Sequence, residues 1–164
     1  AFLDLLRQIG GEIDVEDLGE GEYDLHVRPS ALKSTRVAGQ RADKVIDYIA
    51  LLAVLATQAE GEIVIRDIEA LRTGAFDYVG HLFASLRALE VRVGEFPEGL
   101  IVKGGVPIMA GRLDAKENPS LVMAFAVAGL LAEGGEMTIG GTACMASVWP
   151  DFFKTLHLLK ETKR

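Results

Sequence analysis

Cysteine, tryptophan and histidine are scarce in this chain of 164 residues: one Cys, one Trp, and three His at positions 26, 81 and 157. A lone Cys144 excludes an internal disulfide and fits a reducing compartment, so a cytoplasmic location is expected. Three histidines so far apart do not give the convergent spacing of a metal site, and neither metal nor cofactor is expected. Positive charge is also short. Lys and Arg total 17 against 24 Asp and Glu, a formal net charge of −7, which argues against nucleic acid or an anionic membrane as partner. No apolar run nears the ~20 residues of a membrane span; the longest, residues 121–132, is too short and rich in alanine. The chain opens on an amphipathic Phe2-Leu3-Asp4-Leu5-Leu6-Arg7 rather than on a secretory leader. With no initiator Met, the start reads as a cut inside a longer chain.

Apolar residues, in contrast, are plentiful: 49% of the chain, with a mean hydropathy of +0.25. A chain this long makes one domain with a core that needs no staples. The apolar residues are arranged in repeats. Ile49-Ala50-Leu51-Leu52-Ala53-Val54-Leu55-Ala56 reads as a helix apolar on every side, followed by Gly61 and an alternating Glu62-Ile63-Val64-Ile65-Arg66. The order recurs from Met123 to Leu130, followed by Gly134-Gly135 and Glu136-Met137-Thr138-Ile139, with Gly61 and Gly135 74 residues apart. Fixed-offset self-similarity marks a repeat-built fold.

A second kind of unit repeats as well. A short amphipathic helix over residues 2–9 precedes Glu12–Glu16, a turn with Gly19 and Gly21, and Tyr23–Val27. Its counterpart is a helix over 79–89, Val91–Val93, a turn at Pro97-Glu98-Gly99, and Leu100–Lys103, with Arg7 and Arg87 80 residues apart. Each strand pair reads as a hairpin closed by glycine. The acidic stretch 12–22 reads as a solvated hairpin. The prediction is a single α/β domain over 1–164, with helices inside, sheets outside, pseudo-threefold symmetry, and incomplete first and third units.

Residues 3–15, 27–33, 45–71, 86–104, 123–134 and 150–153 resemble the 5-enolpyruvylshikimate-3-phosphate synthase family, within the C-terminal lobe. The resemblance implies an inverse α/β prism. It also implies descent from two-lobed enzymes that move the enolpyruvyl group of phosphoenolpyruvate to shikimate 3-phosphate in the cleft between lobes. Here one lobe is represented.

The resemblance also locates the chemistry, and there the sequence departs. After Leu-Arg the family carries Val, then Lys-Glu-Ser/Thr-Asp-Arg; here Leu71-Arg72 is followed by Thr73-Gly74-Ala75-Phe76-Asp77-Tyr78. Gly74 replaces the Lys, Ala75 the proton-transferring Glu, and Tyr78 the phosphoenolpyruvate-binding Arg. The family's Asp-His-Arg is Asn118-Pro119-Ser120, and Cys144-Met145-Ala146-Ser147-Val148-Trp149-Pro150 has no cation where the family has one or a Ser/Thr. Asp47, Arg72 and Asp77 are the residual family positions, with Tyr48 in place of the Glu after Asp47. A site for anions needs cations and acid/base groups, so no catalytic residue is assigned and the chain alone is expected to be inactive.

The replacements are aromatic or apolar. Tyr48, Phe76, Tyr78, His81, Leu82, Met145, Val148 and Trp149 are expected to form an interface at the former active-site end, because aromatics and Met on an exposed surface are the composition of an interface core. The expected function is a non-catalytic, engineered protein-binding scaffold. Three alternatives stand beside it: a split lobe that transfers enolpyruvyl groups with its other half, a self-associating homodimer, and a plugged surface with no partner. Gly104-Gly105 and Gly134-Gly135 lack the residues of a phosphate loop and read as turns. Lys154, Lys160, Lys163 and Arg164 suit the C-terminal end of a helix.

Overall fold

In the computed structural model the backbone is described for residues 1–161 and the side chains through residue 158. The chain opens with α1 (Phe2–Gln8), β1 (Glu12–Gly19), β2 (Glu22–Arg28) and β3 (Lys33–Val37). A short helix α2 (Gln40–Asp43) and a 3-10 turn (Ile46–Tyr48) lead into α3 (Ile49–Ala56) and β4 (Glu60–Ile65). After a second 3-10 turn (Glu69–Arg72) come α4 (Tyr78–Ala88), β5 (Arg92–Phe96) and β6 (Gly99–Lys103). The last third holds β7 (Ile108–Met109), β8 (Arg112–Asp114), α5 (Pro119–Leu131), β9 (Ala132–Glu133), β10 (Thr138–Gly140), α6 (Met145–Val148) and α7 (Phe152–Glu161).

Helices α3 and α5 have apolar residues all round, and a helix of that kind must be covered on most sides. They pack against each other at the centre. Ile49, Leu52, Ala53 and Val54 of α3 and Leu121, Val122 and Phe125 of α5 are all buried. Sheets surround them. Four strands run in the order β3-β4-β6-β5, and Ile63, Ile65, Leu100 and Val102 point into the core. The fold is mixed α/β with helices inside.

The repeat read from sequence has a structural counterpart. Strand β3 pairs in parallel with β4 across α3; β7 with β9 and β8 with β10 pair in parallel across α5. Parallel neighbours need a crossover, and an apolar helix provides it. Both predicted hairpins form, β1 with β2 and β5 with β6. The turn at Gly19-Glu20-Gly21 has all three residues at positive φ, a conformation glycine adopts without steric cost. Gly99 has a different reason to be glycine: a Cβ there would collide with the Ile65 carbonyl oxygen, so its absence lets β6 lie against β4.

The acidic hairpin is more exposed than one face of solvation requires: β2 is exposed along its whole length, on both faces. Lys154 stands in the first turn of α7, where the helix dipole does not favour a cation. Lys163 and Arg164 lie outside the described residues, as does the side chain of Lys160. No helix among the described residues is long and apolar enough to cross a membrane.

Candidate functional site

The starts of α3, α4 and α6 and the segment before α5 are tied together at one end of the lobe. Tyr78, the first residue of α4, reaches the backbone of Ala50 and the charge of Asp47 at the start of α3. His81 Nε2 lies 2.7 Å from the Asp114 carbonyl at the end of β8. Glu117 accepts a hydrogen bond from the Cys144 N–H (2.8 Å), fixing the loop before α5 to the residue that precedes α6. Asn118 caps α5 through the Leu121 N–H, the usual use of Asn before a helix.

Arg72 is half-buried and fully engaged. One guanidinium nitrogen donates to Glu95 (2.7 Å) and to Asp77 (3.0 Å), and the others donate to the carbonyls of Phe96 and Pro97. Burial works against its charge, but the two carboxylates outweigh that and hold its pKa above the ordinary value. Asp77 also caps α4, accepting from the Gly80 N–H at 2.8 Å. Two of the three residual family positions are therefore occupied with folding: Arg72 and Asp77 fasten the second 3-10 turn and α4 to the β5–β6 turn. Asp47 is exposed in the first 3-10 turn.

Tyr78 is buried, with its hydroxyl at the N-terminal end of α3. Desolvation pushes its phenol well above the usual tyrosine range; the hydrogen bond from the Ala50 backbone opposes the shift, and Asp47 adds to it. A tyrosine thus fills space beside a helix start, where an anion is otherwise favoured.

Three residues of the expected interface are corrected by their burial. Tyr78 is 8% exposed, Leu82 0% and Met145 3%. The face of α4 that carries Tyr78, Leu82 and Ser85 turns into the core, because the helix must cover the β5–β6 sheet. Met145, the first residue of α6, is likewise buried. None of the three offers surface to a partner as the chain stands.

The other five sit closer to the surface. Tyr48, Val148 and Trp149 are exposed, and Phe76 and His81 are half-buried. Ring contacts place the four aromatic ones in three groups. Phe76 lies 6.1 Å from Tyr78 and meets His81 edge-on at 5.7 Å. Tyr48 stacks on Phe2 of α1 at 4.6 Å. Trp149 meets Phe152 edge-on at 5.2 Å.

Sequence reasoning missed Asp114, Lys116 and Glu117. Asp114 accepts from the Lys116 N–H (2.9 Å) and pairs with the Lys116 ammonium at 2.8 Å. The Lys116 hydrogen bonds, with smaller charge effects of Lys116 and His81, hold the Asp114 carboxyl below its ordinary range. The Asp-x-Lys pattern was a readable signal, since an Asp that bonds the backbone two residues on makes a turn. Arg72, Lys116 and His81 are thus all partnered at this end.

The model of the family described as EPSP synthase (3-phosphoshikimate 1-carboxyvinyltransferase) matches residues 1–156. A 3-phosphoshikimate 1-carboxyvinyltransferase of Streptococcus uberis is 33% identical over 161 residues, covering 97% of this chain and 38% of the relative. Another, of Chloroflexus aggregans, is 39% identical over 164 residues, again 97% of this chain and 38% of the relative. An EPSP synthase structure from Acinetobacter baumannii superposes with a TM-score of 0.82 at 26% identity, over 93% of this chain and 37% of that one. The chain spans a little over a third of the length of the proteins it matches.

Proposed function

The chain belongs to the EPSP synthase family, and from that premise we propose that it is a non-catalytic lobe that binds another protein through the end carrying Tyr48, Phe76, His81, Val148 and Trp149. The observation that carries the reading is the state of Arg72. It is the cation retained in the stretch the family uses for chemistry, and two carboxylates and two carbonyls take up its donors. Gly74, Ala75 and Tyr78 stand at the matched Lys, Glu and Arg positions. Removing one preorganised charge-stabilising group costs roughly 2.7–4 kcal/mol of transition-state stabilisation, and several are replaced together. The exposed Tyr48, Val148 and Trp149 supply aromatic and apolar contacts of the kind interfaces use. The proposal holds equally for a natural and an engineered origin.

A second reading rests on the exposed Asp47 and on family membership: the lobe works in enolpyruvyl transfer once a complementary lobe is added. One assay separates the two. The chain is mixed with the part of the Chloroflexus aggregans relative outside the match, and phosphate release from phosphoenolpyruvate and shikimate 3-phosphate is followed. We expect no release above background, with or without that part. Turnover that depends on the mixture, and is lost in Asp47→Asn, overturns the non-catalytic reading. Self-association through the same end is read from light scattering across a concentration series, where Trp149→Ala abolishes it if that end is the contact.

A further inference from the structure

Arg7, Arg28, Arg66, Arg72 and Lys116 each pair with a carboxylate. Arg87, Arg92 and Lys103 do not. None of the three has an ion pair or a side-chain hydrogen bond among the described residues, although acids outnumber bases in the chain. The three converge. Arg92 and Lys103 stand directly opposite each other across the β5–β6 pair, and the burial of Val93 and Val102 beside them turns both to the outer face of the sheet. Arg87, in the last turn of α4, lines the same open depression, about 320 Å³ in volume, with Gly94 and Ile101 at its floor. A Cβ on Gly94 would come within 3.0 Å of the Ile101 side chain, so the glycine keeps that floor clear. The volume is at the lower end of the roughly 300–1,000 Å³ of small-molecule sites.

Local causes account for two of these cations singly. Arg87 suits the negative end of the helix dipole. Arg92 lies on β5, at the edge of its sheet, where a charge discourages pairing with another chain. Neither cause reaches Lys103, because β6 is paired along both edges. Its position opposite Arg92 sets like charges directly across from each other, which is destabilising. Glu62 stands opposite Lys103 on the side away from Arg92, and the two form no ion pair. An anion bound between Arg92 and Lys103 offsets their repulsion.

We propose that this depression binds a diphosphate group, either free or at the end of an organic diphosphate. Two guanidinium forks and an ammonium present more N–H donors than a single carboxylate can accept. A guanidinium matches phosphate oxygens two at a time, whereas an ammonium acts as a point charge. Two linked phosphoryl groups therefore give Arg87 and Arg92 a set of oxygens each and leave Lys103 to neutralise the charge they share. The depression lies at the C-terminal end of α4, roughly 13 Å along the helix axis from Tyr78. Its occupation does not depend on what the Trp149 end binds, nor on whether the lobe takes part in catalysis.

The test is calorimetric titration of the whole chain at fixed ionic strength with pyrophosphate, and with inorganic phosphate and ADP as comparison arms. One saturable site is expected, with pyrophosphate held about tenfold more tightly than inorganic phosphate. Arg92→Gln and Lys103→Gln should each weaken pyrophosphate about fivefold or more, the loss of a charge-assisted contact. Both variants should melt no lower than the wild type, since each removes a like-charge contact, so lost binding is not lost folding. Arg36→Gln removes an exposed cation of β3 on the same sheet face but outside the depression, and like Trp149→Ala it should leave binding unchanged. ADP binding as tightly as pyrophosphate supports the proposal with an organic diphosphate as ligand; weaker ADP binding supports it with free diphosphate. No saturable binding overturns the proposal, as does equal affinity for phosphate and pyrophosphate. So does an effect of Arg36→Gln as large as that of Arg92→Gln, which means diffuse attraction to the whole face. Turnover plays no part in the readout, so this result stands apart from the enolpyruvyl-transfer assay.

Discussion

Arg72 and Glu95 are 2.7 Å apart across two segments 23 residues distant in sequence. Arg72 ends a 3-10 turn before α4, and Glu95 lies on β5, one residue before the hairpin turn. The same guanidinium holds Asp77, which caps α4. One side chain thereby fixes where α4 begins relative to the sheet it covers. The contacts of Arg72 are thus with the fold itself.

Arg72→Met should lower stability by about 2–3 kcal/mol, the range for losing charge-assisted hydrogen bonds to groups left partly buried. The side chain is only 19% exposed, so solvent screens the pair weakly. Arg72→Lys recovers little, since an ammonium cannot serve two carboxylates and two carbonyls with a planar fork. Urea denaturation of the three proteins checks this; a shift under 0.5 kcal/mol for Arg72→Met removes the structural role.

Tyr78 links stability to alkaline pH. Its folded pKa is raised above the ordinary value of 10, so the native state keeps the phenolic proton while the unfolded chain releases it. The contribution is complete below pH 10 and is lost as pH rises beyond it. The added slope approaches ~1.4 kcal/mol per pH unit. Tyr78→Phe removes this part of the slope. Denaturation midpoints from pH 8 to 11 for both proteins, and tyrosinate absorbance that appears for this residue only on unfolding, test the point. Parallel curves for wild type and variant refute it.

Much of the fold was legible because its signals are local and periodic. The apolar runs of α3 and α5 and the glycine-closed hairpins follow from spacing alone. The parallel pairing across α3 and α5 was less visible, since β7 and β9 are two residues each and carry little pattern. The site was read less well for a physical reason. Aligning Tyr78, Leu82 and Met145 with catalytic-end positions says nothing of which way their helices turn, and an apolar side chain that can reach the core goes there. Phe76 and Trp149, of the same residue class, stay nearer the surface because they lie in connecting segments. Glu95 was invisible as a partner of Arg72 because the contact is between distant segments.

Two glycines separate backbone strain from steric collision. At Gly99 an added Cβ runs into the Ile65 carbonyl, and that backbone cannot move without parting β4 from β6. At Gly19 the space is open and only the positive φ of 83° resists. Gly19→Ala should cost about 1–2 kcal/mol. Gly99→Ala should cost more, about 3 kcal/mol or above, in the class of overpacking that shifts backbone. Thermal melts of both variants decide it, and equal losses mean that β6 can shift to accept the methyl group.

Leu82 and Trp149 were expected to share one interface, and a paired substitution distinguishes their environments. Leu82 is fully enclosed between α4 and the sheet, so Leu82→Ala leaves a cavity and should cost about 2–5 kcal/mol. Trp149 is 44% exposed and contacts the edge of Phe152, so Trp149→Ala should cost under about 1 kcal/mol, within the range of an aromatic pair that keeps much of its area in water. It is also the single tryptophan of the chain, which makes its fluorescence a direct report on that end. In wild type and in Leu82→Ala at temperatures below its melt, emission should shift to shorter wavelength when a partner covers Trp149. If Trp149→Ala instead destabilises the lobe as much as Leu82→Ala does, the tryptophan belongs to the core, and the proposed binding surface shrinks to Tyr48, Phe76, His81 and Val148.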